Sequence, residues 1–174
     1  MRKCEKCAFF LGKQRLEALP LHSIQVDQPF TQWGFDFIGP INPPSSNSHK
    51  WIVAAIDYFT RWIEVVALKD ATKNLVVEIL NGIVTRFGAP STIILDNAKS
   101  FMGTHICSWE IDHGIYLSTS SNYYPQGNGL AKSSNKNLIR IMKRTIKDNQ
   151  RLWHSKLKTT LWANRITPKR AIRN

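Results

Sequence analysis

Acidic residues, cysteines and long apolar runs are all scarce in this sequence, and each shortage excludes a class of protein. The 174 residues hold 12 Asp and Glu against 24 Lys and Arg, a net charge of +12 that favours polyanionic partners. Three cysteines argue against a disulfide framework and favour a reducing compartment. No apolar run approaches the roughly 18 residues of a membrane span, and the N-terminus lacks the apolar core of a signal peptide. We therefore expect neither a membrane segment nor a secretory leader.

Residues 31–40 place one acid, Asp36, among aromatic and β-branched residues. Large apolar side chains on both sides of Asp36 predict a central strand that is buried on both faces. A buried carboxylate is costly unless it is paired or bound to a metal ion. Asp36 is therefore either a site residue or a strand-end acid that is hydrogen-bonded to a loop.

Two more strands are predicted directly after a polar loop. Residues 51–57 and 62–68 have the composition of strands, and the short link between them predicts an antiparallel meander of three strands. Asp57 ends the second strand beside that link, where an aspartate commonly accepts hydrogen bonds from the turn backbone. We interpret Asp57 as a structural residue.

A second candidate acid follows the fourth predicted strand. Apolar residues at spacings of three and four predict a helix over 72–87, which Gly88 ends, and residues 92–95 then form a short buried strand. A helical crossover places strands in parallel, and sites gather at the strand ends beside the crossover loops. Asp96 is therefore a candidate site residue beside Asp36. Its alternative is an Asx-turn, which does not exclude a site role.

The rest of the chain predicts helices around a long loop. A helix over 100–112 and a brief strand over 115–117 precede a segment rich in turn residues, 118–129, and a loop of this length is often functional. A long helix is then expected over 131–149 and a last one over 151–162. The whole pattern predicts an α/β protein with a mixed five-stranded sheet flanked by helices.

The long helix and the residues after it are strongly basic. From Lys132 to the C-terminus the sequence has 13 Lys or Arg and one acid, Asp148. A helical face this basic suits phosphate backbones. An ordinary solvated face is the alternative, although such faces usually mix charges of both signs. The candidate nucleic-acid contacts are Lys132, Lys136, Arg140, Lys143, Arg144 and Lys147.

The N-terminal pair Cys4 and Cys7 has the spacing of half a zinc site. No second Cys pair or closely spaced His pair follows, and His22 and His49 are isolated. Two free thiols are the favoured interpretation, so we do not expect zinc.

Six blocks of residues resemble the integrase catalytic core of gypsy-type LTR retrotransposons, which is related to retroviral integrases. They are Trp33-Gly34-Phe35-Asp36-Phe37-Ile38-Gly39-Pro40, His49-Lys50-Trp51-Ile52, Ala55-Ile56-Asp57-Tyr58-Phe59-Thr60-Arg61-Trp62, Arg86-Phe87-Gly88-Ala89-Pro90, Asp96-Asn97 and Tyr124-Pro125-Gln126-Gly127-Asn128-Gly129. The resemblance implies an RNase H-like fold. It also implies a remnant of a zinc-binding region at 1–24, a core-like domain at 25–165 and a truncated tail at 166–174. Cys4 and Cys7 would then match the last two ligands of the zinc region, whose two histidines we expect upstream of Met1.

The resemblance also implies a chemistry and a defect in it. In the family, three carboxylates hold two divalent ions, magnesium or manganese, for phosphoryl transfer to or from DNA. The first two acids match Asp36 and Asp96. The third, a glutamate, falls on Lys132, and residues 113–147 contain no Asp or Glu. Three other positions also depart from the residues usual in the family: Leu95, Ala98 and Tyr124.

Two functions from different classes therefore compete. The favoured one is a catalytically inactive domain of retrotransposon origin that binds DNA through its basic face. The other is an active polynucleotidyl transferase that uses magnesium at Asp36 and Asp96. A third interpretation is a retroelement fragment without function. DNA is the expected partner, a homodimer is compatible with the resemblance, and a functional copy would act in the nucleus.

Overall fold

The computed structural model describes residues 26–70, 73–96, 104–119, 129–146 and 149–167. Within these ranges, five strands and four α-helices follow one another along the chain. Their bounds are β1 (Gln32–Ile38), β2 (Trp51–Asp57), β3 (Ile63–Leu68), α1 (Lys73–Phe87), β4 (Thr92–Leu95), α2 (Thr104–His113), β5 (Tyr116–Thr119), α3 (Gly129–Thr145), a 3₁₀ turn (Gln150–Leu152) and α4 (Trp153–Ile166).

The strands form one five-stranded sheet in the order β3-β2-β1-β4-β5. β1 pairs antiparallel with β2, and β2 pairs antiparallel with β3, as expected for a meander. β4 lies parallel to β1 on its other side, and β5 lies parallel to β4. The predicted mixed sheet is therefore confirmed, with β1 as its central strand.

Strand side chains alternate between two apolar layers because successive residues of a strand point to opposite faces of the sheet. Trp33 and Phe35 of β1 pack in the layer that α1 and α2 cover. Ile52 and Ala54 of β2 pack in the layer that α3 and α4 cover. Each large side chain that is fully buried in this way stabilises the fold by about 1.5–3 kcal/mol. Asp36, one residue after Phe35, consequently lies on the face that α3 covers.

The long basic helix is shorter than predicted. α3 ends at Thr145 instead of continuing to about residue 149. The cause is Asn149, whose backbone is extended, with φ at −148°, and whose side chain accepts a hydrogen bond from the backbone N–H of Arg151. This local bond starts the 3₁₀ turn and competes with a longer helix. The last helix accordingly begins at Trp153 and runs to Ile166, beyond the predicted 151–162.

The predicted loop over 118–129 is also wrong at both ends. Ser118 and Thr119 belong to β5, where they pair with Ile94 and Leu95 of β4. Gly129 belongs to α3, and residues 120–128 lie outside the described ranges. A strand this short shows no clear alternation in sequence, so its pairing with β4 decides its length.

Glycines end the first two helices where the sequence indicated they would. Gly88 and Gly114 have φ angles of +87° and +63°, in the left-handed region that favours glycine after a helix. The start predicted for the second helix at residue 100 lies outside the described residues, which resume at Thr104. None of the helices in the described part of the chain is long and apolar enough to cross a lipid bilayer.

Candidate active site and nucleic-acid interface

Asp36 and Asp96 meet because β1 and β4 are parallel neighbours in register. Phe35 of β1 is paired with Leu95 of β4, and each aspartate comes one residue later. The backbone N–H of Asp96 donates to the Phe35 carbonyl at 3.1 Å, which continues the ladder past the end of β4. Both carboxylates therefore lie at one end of the sheet, on the side covered by α3.

Helix α3 supplies a separate partner for each carboxylate. The ammonium Nζ of Lys132 lies 3.1 Å from Asp96 Oδ2. One turn later, the amide Nδ2 of Asn135 donates to Asp36 Oδ2 at 2.7 Å. Residues three apart on a helix lie on the same face, so one turn of α3 reaches both acids. The four side chains form a polar cluster, which we call the Asp36–Asp96 cluster.

Burial and the neighbouring charges shift the pKa values in this cluster. Desolvation is the largest influence on Asp36 and raises its pKa, and the negative charge of Asp96 adds to the rise. The hydrogen bond from Asn135 and the positive charge of Lys132 oppose the rise. Burial is also the main reason that the pKa of the Tyr58 phenol is raised, and both aspartates contribute to that shift. A neutral phenol, that of Tyr58, therefore lies near the two carboxylates of the cluster.

Tyr58 packs closely against the central strand because Gly34 has no side chain there. A Cβ atom at Gly34 would lie 2.6 Å from Tyr58 Cε2 and 2.8 Å from its hydroxyl oxygen. Tyr58 itself is 7% exposed, so its ring has little room to withdraw. Gly34 thus allows the ring to pack over β1 on the face that also carries Asp36.

Neither Asn135 in the cluster nor Tyr58 beside it was among the site residues predicted from the sequence. A signal for Asn135 exists in the helix pattern, because the buried face of α3 consists of Ala131, Asn135, Leu138 and Met142. An amide in an otherwise apolar buried stripe requires a hydrogen-bond partner. Tyr58 had no comparable signal, since its aromatic ring fits an ordinary core position.

The side chains of the cluster fit a pair of divalent ions poorly. Magnesium and manganese take oxygen ligands, and two-metal sites need several carboxylates. The cluster supplies two carboxylates, those of Asp36 and Asp96, and the Lys132 ammonium lies 3.1 Å from Asp96. Among the described residues, no group of three or more His, Cys, Asp or Glu is placed to hold a metal ion. We therefore derive no reaction step through a metal at this site.

The solvent-facing side of α3 carries the other predicted contacts. Its basic side chains are exposed, and four of them line a shallow groove of about 410 Å³ together with Ile139. Arg140 also donates from Nη2 to Asn137 Oδ1 at 2.8 Å, which orients its guanidinium along the helix. The four are Lys136, Arg140, Lys143 and Arg144.

Asp57 has the structural role that the sequence indicated. Its carboxylate accepts hydrogen bonds from the backbone N–H of Phe30 at 3.0 Å and of Thr60 at 2.6 Å. The hydroxyl of Thr60 donates to it as well. These bonds close the turn between β2 and β3 and connect it to the start of β1, so Asp57 lies outside the candidate site.

Several predicted residues lie outside the described ranges. They are Cys4, Cys7, His22, Ala98, Tyr124 and Lys147. The zinc remnant and the sixth basic contact therefore stay predictions.

Comparison with known sequences places this chain among integrases. The integrase core domain family matches residues 26–125, which is more than half of the 174 residues. The Pro-Pol polyprotein of Simian foamy virus type 3 (strain LK3) is 25% identical over 90% of this chain and 14% of its own length. The Pol polyprotein of Radiation murine leukemia virus (strain Kaplan) is 28% identical over 81% of this chain and 24% of its own length. The chain thus spans less than two thirds of these relatives.

Solved structures show the same fold. A chain of the simian T-cell lymphotropic virus intasome, solved in complex with PP2A regulatory subunit B56 gamma, is similar with a TM-score of 0.75 and 20% identity. The similarity covers 88% of this chain and 55% of that one. The HTLV-2 integrase catalytic core domain, in complex with magnesium in a trimeric form, has a TM-score of 0.62 and 18% identity over 78% of this chain and 84% of that one.

These similarities agree with the mixed sheet and its flanking helices, which have the RNase H-like α/β arrangement. From the match over residues 26–125, we conclude that the chain belongs to the integrase core domain family.

Proposed function

We propose that this protein is a nucleic-acid-binding domain of gypsy-type retrotransposon origin that has lost metal-dependent strand transfer. The observation that carries the proposal is the ion pair between Lys132 Nζ and Asp96 Oδ2 at 3.1 Å. In the proposal, Lys132 occupies the position of the family's third acid, so a cation of the protein itself pairs with Asp96 in place of a carboxylate. In this proposal Asp36 and Asp96 are the remaining two positions of the catalytic set.

The electrostatic argument concerns a divalent ion that approaches Asp96. An ammonium about 4 Å from such an ion repels it by roughly 8 kcal/mol at an effective dielectric constant near 20. The Lys132 side chain is 48% exposed, so it can turn into solvent and avoid most of this repulsion. The site would still hold one carboxylate too few for two ions. Since about 1.4 kcal/mol is a tenfold change in rate, a fraction of the repulsion is enough to suppress turnover.

Nucleic-acid binding in this proposal depends on α3. Four exposed cations line one groove, with no acid among the residues that line it. Contacts between such cations and phosphates tolerate any sequence and weaken steeply with salt, because binding releases counterions. The net charge of +12 supports the same partner.

The alternative function is an active polynucleotidyl transferase that uses magnesium. It is supported by the adjacency of Asp36 and Asp96 on parallel strands and by the similarity to the magnesium-bound HTLV-2 core. The trimeric form of that core supports self-association in general, and the homodimer itself is part of the proposal. A role in DNA integration, if retained, would place the protein in the nucleus. A retroelement fragment without function predicts neither binding nor activity.

A strand-transfer assay on short duplex DNA, with magnesium or manganese, separates these functions. Anisotropy titration of the same duplex at low salt is run in parallel. We expect binding without strand transfer. Strand transfer by the wild-type protein would establish the active alternative. If no binding is detected at low salt, the remaining interpretation is a retroelement fragment without function.

A further inference from the structure

A second concave site lies beside the basic groove of α3. It is a cavity of about 450 Å³ between the segment that follows β1, the end of α3 and the 3₁₀ turn. Its walls are mainly apolar and include Ile41, Pro43, Met142 and Ile146. Three polar side chains, Asn42, Lys143 and Gln150, also line the cavity. A cavity of this size, with apolar walls and a few polar groups, is typical of a small-molecule binding site.

The cavity and the basic groove share one lining residue, Lys143. This residue lines both of them, so its ammonium stands between the apolar walls on one side and the other cations of the groove on the other. Arg144, the next residue, also lines the groove. A ligand that occupies both sites must therefore combine negative charge with an apolar part next to it.

We propose that this cavity receives one unpaired nucleobase of a strand whose phosphates lie along the basic groove of α3. The inference rests on the proposed nucleic-acid binding and names the form of nucleic acid that is preferred. A nucleobase has apolar faces and a polar edge. The apolar walls can exclude water from its faces, and the Gln150 amide can donate to or accept from its edge. A base stacked inside a duplex cannot enter, so single strands, overhangs and unpaired ends are preferred.

Charge favours a nucleobase over an apolar side chain of a protein partner. All charge on the residues that line the cavity is positive, because Lys143 is their one ionisable residue. An apolar peptide would fill the cavity and leave this ammonium without a matching anion. A nucleotide strand supplies a phosphate beside each base, at the position where the groove begins.

The test compares two probes that carry the same phosphates. One is a single-stranded oligomer of twelve thymidine nucleotides, and the other is an abasic deoxyribose-phosphate oligomer of the same length. Their dissociation constants are measured by anisotropy at one fixed salt concentration. Burial of one base in an apolar site strengthens binding, so we expect the thymidine oligomer to bind about tenfold more tightly.

Two matched variants locate the difference. In Gln150→Trp the new indole occupies the mouth of the cavity, and we expect the tenfold preference to disappear while abasic binding is retained. Leu152→Trp is the control, because Leu152 is exposed in the same 3₁₀ turn and does not line the cavity. Both variants add one indole at the surface, so nonspecific stacking of bases on the new indole should be equal in the two proteins. The control should keep the preference.

The failures can be told apart. Equal affinity for the two probes in the wild type, or a preference that survives Gln150→Trp, would overturn the base site and leave phosphate binding intact. If neither probe binds at low salt, both the base site and the proposed function are wrong.

Discussion

The Lys132 ammonium lies 3.1 Å from Oδ2 of Asp96, on the same helical face that brings the Asn135 amide to Asp36 at 2.7 Å. The two contacts cross the same end of the sheet side by side. Each acid is therefore compensated by the protein itself, one by a charge and the other by a hydrogen-bond donor. A divalent ion would have to displace the first of these contacts in order to bind.

Lys132→Glu is expected to create divalent-metal affinity. The substitution exchanges a repelling cation for a third carboxylate, so magnesium or manganese should bind at least about tenfold more tightly, equal to about 1.4 kcal/mol. Isothermal titration calorimetry measures the change. Lys136→Glu is the matched control, because it reverses the same charge on the same helix at an exposed position.

Adding Asp96→Asn to Lys132→Glu should remove the gain, because both side chains would coordinate the same ion. If Lys132→Glu binds metal no better than the wild type, or no better than Lys136→Glu, then Lys132 does not occupy the position of a metal ligand. The explanation of lost activity would then be wrong.

Charge reversal on the outer face of α3 should weaken nucleic-acid binding without changing its sequence preference. For Lys136→Glu combined with Lys143→Glu, the slope of log K against log salt should fall in magnitude by about one unit for each lost phosphate contact. Anisotropy titrations across a range of salt concentrations give this slope.

Lys50→Glu serves as the control for these reversals, since Lys50 is exposed just before β2 and lies off α3. This control changes the net charge half as much as the double reversal, so a loss of about half as much binding free energy would mean that binding depends on net charge alone. Salt-independent binding in the wild type would contradict the phosphate contacts altogether.

Glu64→Gln should destabilise the fold by about 2 kcal/mol, because hydrogen bonds to a charged group are worth about 1.5–3 kcal/mol each and part of this interaction is solvent-exposed. The carboxylate accepts from Arg165 Nη2 at 2.6 Å, from Trp62 Nε1 at 2.7 Å and from Arg86 Nη1 at 2.9 Å. These bonds join α1 and α4 to strand β3. Urea unfolding measures the loss of free energy.

Glu78→Gln is the control for Glu64, because Glu78 is an exposed glutamate on α1. It should change the unfolding free energy by no more than about 0.5 kcal/mol. Equal effects of the two substitutions would show that the bonds to Glu64 contribute little.

Gly34→Ala should cost about 1–3 kcal/mol, the usual range for overpacking a core. The added Cβ would meet Tyr58 Cε2 at 2.6 Å. Gly82→Ala is the matched control in the interior of α1, where the nearest atom to a new Cβ is Arg86 Nη2 at 3.8 Å. That change should stabilise the protein by about 0.5–1 kcal/mol. Thermal unfolding distinguishes the two, and equal shifts would contradict the Tyr58 contact.

Stability should fall under mildly acidic conditions because of His49. Its Nδ1 lies 3.0 Å from Ser45 Oγ, and its ring centroid lies 5.2 Å from that of His154. Burial, followed by the charges of His154 and Lys69, lowers the pKa of His49 below its ordinary value of 6.5. The unfolded chain therefore binds a proton at a higher pH than the folded chain does. The contribution of neutral His49 to the free energy of unfolding is complete above pH 6.5. It is lost as the pH falls from there through the lowered pKa of His49 in the folded protein.

Urea unfolding at pH 7.5 and at pH 5.5 tests this dependence. His49→Gln should lose less stability between the two conditions than the wild type, because it removes the titrating group. Lys69→Met should also reduce the acid sensitivity, since it removes one of the repelling charges. An unchanged pH dependence in His49→Gln would assign the acid sensitivity to other groups.

Much of the fold could be derived from local patterns. The apolar composition of β1 and the positions of two acids, Asp36 in β1 and Asp96 after β4, are properties of neighbouring residues. The glycine stop after α1 and the turn role of Asp57 are local as well. Strands repeat every two residues and helices every three to four in any chain, because all chains share one backbone geometry. Sequence patterns with these spacings therefore predict where the strands and helices lie. The resemblance to integrases added the expectation that Lys132 stands in place of a glutamate.

Other features required the packed molecule. The contact between Asn135 and Asp36 joins residues that are 99 positions apart, and no local pattern encodes such a pair. The end of α3 depended on a side-chain bond of Asn149, and the length of β5 depended on pairing with β4. The cavity beside Lys143 exists because the segment after β1 packs near the end of α3. By itself, the sequence determined which residue types stand on each strand and helix. Which of those residues meet was decided by the strand register and by helix packing, because these depend on burying apolar surface from the whole chain at once.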